Sequence, residues 1–554
     1  MKPLITLLIC FFFLNSFGQK LHLKIVGQDE KQTKTIDSIG YSSLFSDAKG
    51  VSDENKLFSE KLLKAGFLEQ QLLETTKQND STFTYLYTIG VRTKFIHIYI
   101  NKNLDTGNWN LYDVKNDTLL LPFSESESFL NTTLKKLETK GFSMAKVKLV
   151  NIKKHRDYVT ADLNVTSDKK RQLNDIVING YEKFPVGHQK NLKRLYKKRV
   201  FNQDNLDKLY RDIAQYRFVK QTKYPEILFT KDSTKVFVYL EKAKANNFDG
   251  FIGFSNDENK KVIFNGYLDL TLNNALNSGE KVALYWKSNG KDQKTFNLGV
   301  EIPYIFKSPI GLKTQLNIFK QDSTFQNTQT AIDFGYYFNY NTRLYLGYQS
   351  AESSDIKNIN TATLSDYKNK FYTSNFEYVN YKNDDFLFPE KSNFNIKIGT
   401  GKRDSKFQNN AQFFGSVNLK HNFYLNNKNV INIKSQNFYL QSDEYIINEL
   451  YRFGGINSIR GFNENTLQGN VFSSVLTEYR YVLSPSIYVH SIMDYAYFQD
   501  KTTNLKGNLL GLGFGFGILT KNGLLNLVYA NGSAKDQAIK LSNSIVHISL
   551  KANF

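Results

Sequence analysis

The sequence predicts a two-part molecule: tandem α+β modules over roughly the first 244 residues, then an all-β transmembrane barrel of about 16 antiparallel strands. Three observations predict it. From residue 245 onward the apolar pattern has period 2, the repeat of a strand with two different faces. Before that, helical registers recur about every 75 residues. Beyond the first 20 residues no apolar run approaches the ~18 residues that a spanning helix needs, and mean hydropathy is −0.44. A barrel escapes that test because its lipid face is diluted by alternation.

The 554 residues hold 34 Tyr and 44 Phe beside only 8 Pro and 1 Cys. Met1-Lys2-Pro3, the apolar stretch Leu4 to Leu14 and the short Asn15-Ser16-Phe17-Gly18 read as a secretory signal peptide over residues 1–18, cut before Gln19. Cys10 leaves with it. The mature chain is then free of cysteine, which excludes disulfides, thiol catalysis and Cys-ligated metals. An exported, cysteine-free, aromatic-rich chain points to the envelope of a Gram-negative bacterium.

Net charge is +20, yet export argues against a nucleic-acid partner. The excess is uneven: residues 169–223 carry 15 Lys/Arg against 5 Asp/Glu. That stretch is either a solvated basic face or a surface facing anionic lipid headgroups or an acidic partner.

Phe58, Leu62 and Ala65 fall at i, i+4, i+7, as do Leu130, Leu134 and Leu137, and again Leu206, Tyr210 and Ile213. Each register ends at a similar signal: Gly66-Phe67, Gly141-Phe142 and Arg217-Phe218. Extended segments follow each one, so the predicted unit is strand–helix–helix–strand–strand. Lys64-Ala65-Gly66-Phe67-Leu68, with Val91 to Ile96 after a strand pair, resembles the junction between two POTRA domains. Arg171 to Gly180 resembles the opening of the last POTRA before a barrel. The resemblance divides the region into modules at 19–93, 94–169 and 170–244, with a barrel from 245 to 554. It also implies periplasmic modules whose exposed strand edges take client strands by β-augmentation.

In the barrel region Ile332, Phe334, Tyr336, Phe338 and Tyr340 alternate with Asp333, Gly335, Tyr337 and Asn339. At the C-terminus Val546, Ile548, Leu550, Ala552 and Phe554 share one face, and the terminal Phe554 resembles the recognition signal of outer-membrane barrels. The last strand must close on the first, since no open edge survives in lipid.

The most specific stretch is Glu449 to Phe462. Its Gly454-Gly455-x-x-Ser458-x-Arg460-Gly461-Phe462 resembles the long inward-folded loop of the BamA/TamA superfamily of outer-membrane assembly and translocation proteins. Glu478-Tyr479-Arg480, Met493-Asp494-Tyr495-Ala496 and Gly511-Leu512-Gly513-Phe514-Gly515 resemble the strands that follow, with Ala496 and, upstream, Ser392 in place of glycines. Three modules resemble TamA more than BamA, which usually carries five.

Arg460 cannot lose its proton at neutral pH and presents a planar fork of donors. Inside a barrel it needs partners; the resemblance implies Glu478 and Asp494, pinning the loop to the inner wall, with Gly461 letting the backbone turn beside them. No hydrolase, phosphate-binding or metal-ligating motif appears, so neither catalytic residues, metal nor cofactor is expected. What the resemblance implies is a non-enzymatic assembly or translocation factor in the outer membrane. Its partners would be unfolded outer-membrane or secreted client proteins, outer-membrane lipid and a periplasmic or inner-membrane partner. The alternatives are a two-partner secretion transporter and a passive porin-like barrel.

Overall fold

A computed structural model describes residues 20–100, 117–167, 169–256, 262–289, 293–382, 384–521, 523–534 and 544–553. The expected signal peptide and Phe554 lie outside the described residues. The chain forms two compact units, one running through Gln172 with Val200–Asp204, the other comprising Leu173–Arg199 and Asn205–Phe554.

The first unit holds two four-stranded sheets. In the first, the strand order is Leu44–Phe45, Leu21–Gly27, Thr82–Thr88, Gln71–Asn79, with a parallel central pair. Two helices cover it, α1 (Glu30–Ile39) and α2 (Ala48–Lys64). Both start at an aspartate cap: Asp29 and Asp47 accept from the amides of Gln32 and Gly50, each at 2.7 Å. The core joins Leu23, Ile25 and Tyr87 of the sheet to Ile36, Val51, Phe58 and Leu62 of the helices.

The second sheet repeats that order with Thr118–Pro122, Phe95–Tyr99, Tyr158–Thr166 and Lys146–Lys154, again parallel at its centre. Its helix α3 (Ser126–Thr139) buries Phe129, Thr133 and Leu137. The expected face was Leu130, Leu134 and Leu137, yet Leu134 is 39% exposed. The threonine explains the miss: its hydroxyl donates to the Phe129 carbonyl at 2.8 Å, so it can lie in an apolar face.

The repeated Gly-Phe signal has a structural meaning. Gly66 and Gly141 have φ of +97° and +100°. In each case glycine and phenylalanine amides bond back to the helix end, Gly66 to Leu63 and Phe67 to Leu62, Gly141 to Glu138 and Phe142 to Leu137. Only glycine adopts that left-handed turn cheaply while closing the helix's last carbonyls.

The second unit opens with a third sheet. Thr234–Lys242 lies between Asp175–Asn179, parallel to it, and the antiparallel Val219–Gln221 and Glu226–Phe229. Its helices are α4 (Val186–Tyr196) and α5 (Gln203–Ala214). α5 buries Leu206, Leu209 and Ile213, while the expected Tyr210 is only partly buried.

A closed antiparallel barrel of 16 strands follows, from Asn247–Asn256 to Ile545–Asn553. Ile332, Phe334 and Tyr336 are exposed on its outer wall, whereas Asp333 and Tyr337 are buried inside. Tyr340 departs from the expected alternation, because that strand ends at Tyr337 and Tyr340 sits in the turn after it. Among the described residues no helix is long and apolar enough to cross a membrane.

Candidate functional site: an inward-folded loop beside the barrel seam

Residues 442–470 connect the strands Asn429–Gln441 and Val471–Ser484. They fold back as a small hairpin of Tyr451–Phe453 against Leu467–Gly469. Phe453 stacks on Phe472 of the wall with ring centroids 4.1 Å apart, and Ile459, Phe462, Leu476 and Ala496 join the same apolar cluster. Gly454 and Gly455, with φ of +108° and +95°, turn the chain toward its tip.

At that tip the structure brings together Arg460, Glu478 and Asp494. Arg460 Nε donates to Asp494 Oδ2 at 2.7 Å and Nη2 to Oδ1 at 2.5 Å, a two-pronged fork. The Arg460 backbone amide donates to Asp494 Oδ2 as well, at 3.1 Å. Arg460 Nη1 pairs with Glu478, whose other oxygen accepts from Arg480 Nε at 2.7 Å. Arg460 is 5% exposed and Asp494 fully buried, so the charges are dry and mutually compensated.

Gly461 follows with φ +85°, and a Cβ there would sit 2.3 Å from the Asn531 carbonyl carbon and the Gly532 amide. The Arg460 carbonyl comes equally close to Gly511, where a Cβ would lie 2.4 Å away. Glycine at 461, 511 and 532 therefore lets loop backbone lie directly on wall backbone. Phe462 packs into the cluster just described.

Two further attachments carry no mark in the sequence. At the loop's base Arg403 pairs with Glu449, their side chains 1% and 2% exposed, and Gln412 Nε2 donates to the same carboxylate at 2.8 Å. Glu449 belongs to the motif-bearing stretch, but nothing in the Arg403 neighbourhood marks it as a partner. Beyond Phe462, Glu464 pairs with Lys287 and accepts from the Tyr285 hydroxyl at 3.3 Å. Those two lie on the strand Lys281–Asn289, the third of the barrel.

The loop thereby touches the wall on both sides of the barrel's closure. Among the described residues the first and last strands pair only at Asn247↔Asn553 and Phe248↔Ala552. By contrast, the last strand pairs with its other neighbour from Gly523↔Ala552 through Ala530↔Ile545. The first strand is paired along its whole length with Val262–Asn273. Facing edges of the first and last strands thus leave a row of backbone donors and acceptors without ladder partners.

At the other end of the barrel the third module is bonded to the turns. Asn191 Nδ2 donates to the carbonyls of Lys307 (3.3 Å) and Ser308 (3.0 Å), and Arg194 Nη2 to that of Tyr337 at 3.1 Å. Gln215 exchanges two hydrogen bonds with the Tyr381 backbone, at 3.1 and 2.7 Å. His188 is fully buried among Phe184, Tyr216, Phe218, Tyr304 and Tyr340, and neither ring nitrogen has a hydrogen-bond partner.

Burial pushes the His188 imidazole down to about 3, against a weak pull from the Glu301 carboxylate. A histidine held neutral in the fold stabilises it fully above the ordinary value of 6.5, and that contribution falls as pH drops below it. The slope is about 1.4 kcal/mol per pH unit. Protection factors of α4 amides, which remove the intrinsic pH dependence of exchange, should therefore fall roughly tenfold per unit below pH 6. His188→Phe, which keeps a ring in the box, should abolish that loss of protection; equal protection factors at pH 5 and 7.5 in the unaltered chain would refute it.

The class this fold defines is a closed 16-stranded antiparallel β-barrel preceded by small α+β modules. No protein-family model matches the chain, and no curated protein sequence matches it. Among solved structures it is similar to CdiB from Acinetobacter baumannii and CdiB from Escherichia coli. Each is 12% identical with a TM-score of 0.52, over 91% of this chain and 97% of theirs. It is also similar to BamA from Haemophilus ducreyi lacking POTRA domains 1–3, at 16% identity, a TM-score of 0.47, and 82% of this chain against 99% of that one. The fold is the one seen in the CdiB structures.

Proposed function

We propose that this chain is an outer-membrane assembly or translocation factor of the BamA/TamA superfamily, with its N-terminal modules in the periplasm. The observation that carries this reading is the closure between Asn247–Asn256 and Ile545–Asn553, held by two residue pairs while its edges stay open. A strand edge with unsatisfied backbone groups is a template for a client strand. The inward loop braces both flanks of that opening from the lumen, Arg460 on one side and Glu464 on the other. The modules add edge strands such as Gln71–Asn79, exposed along its whole length, as earlier receiving surfaces. Energy would come from client folding, and no cofactor is called for.

A second reading, export of a secreted partner through the pore, is favoured by the likeness to the two CdiB structures. Depletion of the chain followed by an outer-membrane proteome separates the two. Assembly work predicts that several barrel proteins fall together; export work predicts loss of one secreted protein with the barrels intact. No change in either would remove both.

A further inference from the structure

We infer that the third module and the barrel turn it grips form a binding ledge for anionic phospholipid headgroups at the edge of the bilayer. The inference rests on the barrel lying in a membrane and not on what it transports.

The turn between Gln293–Ile302 and Ile310–Gln321 has three residues with left-handed backbone, Tyr304, Phe306 and Lys307, at φ of +57°, +53° and +60°. Such conformations are costly for residues with a Cβ and persist where surroundings impose them. Here the imposed geometry sends Tyr304 inward against His188 and throws Phe306 out to 96% exposure. Four residues on, Ile310 pairs with Tyr336, and Tyr336 meets Phe338 edge-on with centroids 5.2 Å apart. All three are more than 40% exposed on the outer wall. Phe306 thus extends an aromatic patch at the rim, the composition that sits at headgroup level.

Helix α4 lies on this same turn through Asn191, so its other faces are oriented. His188 packs on Tyr216, next to Arg217, which lines a cavity of about 410 Å³ in the barrel lumen. At about 100° per residue, Lys190 and Lys197 fall roughly 200° and 180° from His188. Both are exposed, Lys197 at the helix C-cap, with half-exposed Val186 on the same stripe. Lys190, Lys197 and Lys307 take part in no ion pair among the described residues, whereas Lys193 is held by Asp175 at 2.7 Å. An exposed, unneutralised lysine stripe on the helix that grips the turn of Phe306 matches an anionic interface, where each cation adds to attraction.

The test is lipid retention by the full chain in neutral detergent, read by native mass spectrometry with equal amounts of phosphatidylglycerol and phosphatidylcholine. Phosphatidylglycerol should be retained preferentially, and Lys190→Gln with Lys197→Gln should reduce that preference on the order of tenfold. Phe306→Ser should weaken retention of both lipids. Lys146→Gln with Lys148→Gln, exposed in the first unit, should change nothing. Heat-dependent gel mobility verifies that each barrel is folded. Equal retention of the two lipids, or an equal effect of the control pair, would overturn the inference.

Discussion

Arg460→Ala is expected to weaken the barrel by about 3 to 5 kcal/mol and, on the proposed function, to abolish client assembly. Asp494 would stay fully buried with its fork of donors gone, and Glu478 would retain Arg480 alone. An uncompensated carboxylate in that setting costs far more than the lost contact. Arg460→Lys should recover little, because an ammonium cannot span both oxygens of Asp494 while reaching Glu478. Arg452→Ala is the comparison. Arg452 is in the same loop and stacks over Phe325 at 5.2 Å, a contact worth about 1 kcal/mol. Both denaturation in detergent and complementation of a depletion strain should show the larger loss for Arg460→Ala; equal effects would contradict the pinned tip.

The second large effect is expected at the loop's other end. Arg403→Ala strands Glu449 at 2% side-chain exposure, again a loss of about 3 to 5 kcal/mol. Its signature differs from that of Arg460. Freed at its base, the loop should become cleavable by protease near residues 442–450 while Arg460 still holds its tip. A double-mutant cycle with Glu449→Ala should give a coupling of roughly 1 to 3 kcal/mol, since both single changes break one pair. Strict additivity would place the two residues in separate roles.

How much of this was legible in the sequence follows from where the signals are local. The Gly66-Phe67 and Gly141-Phe142 turns were readable because a left-handed helix end demands glycine at one position. Barrel alternation was readable for Ile332 to Phe338, since one face meets lipid and the other the lumen. The edge strands Gln71–Asn79 and Lys146–Lys154 were harder: with little or nothing buried, they print weak alternation. α3 was misread by register because Thr133 satisfies its own hydroxyl and passes as apolar. At the candidate site, Arg460, Gly461, Glu478 and Asp494 came from a motif resemblance. Arg403, beside Lys402, and Lys287 are strand cations with no local mark, and their partners Glu449 and Glu464 are distant in the chain. Only the folded barrel joins them. The His188 box was equally hidden, being assembled from a helix, the segment after α5 and two turns.

On the proposed function, clients pass at the weak closure of the barrel. With the only cysteine in the chain at position 10, the expected signal, Phe248→Cys and Ala552→Cys can be joined across the seam pair Phe248↔Ala552. The most direct measurement is client assembly in a depletion strain carrying this variant, with and without reductant. The account predicts folded but inactive barrels when oxidised and recovery on reduction. Full client assembly with the cross-link complete would contradict it.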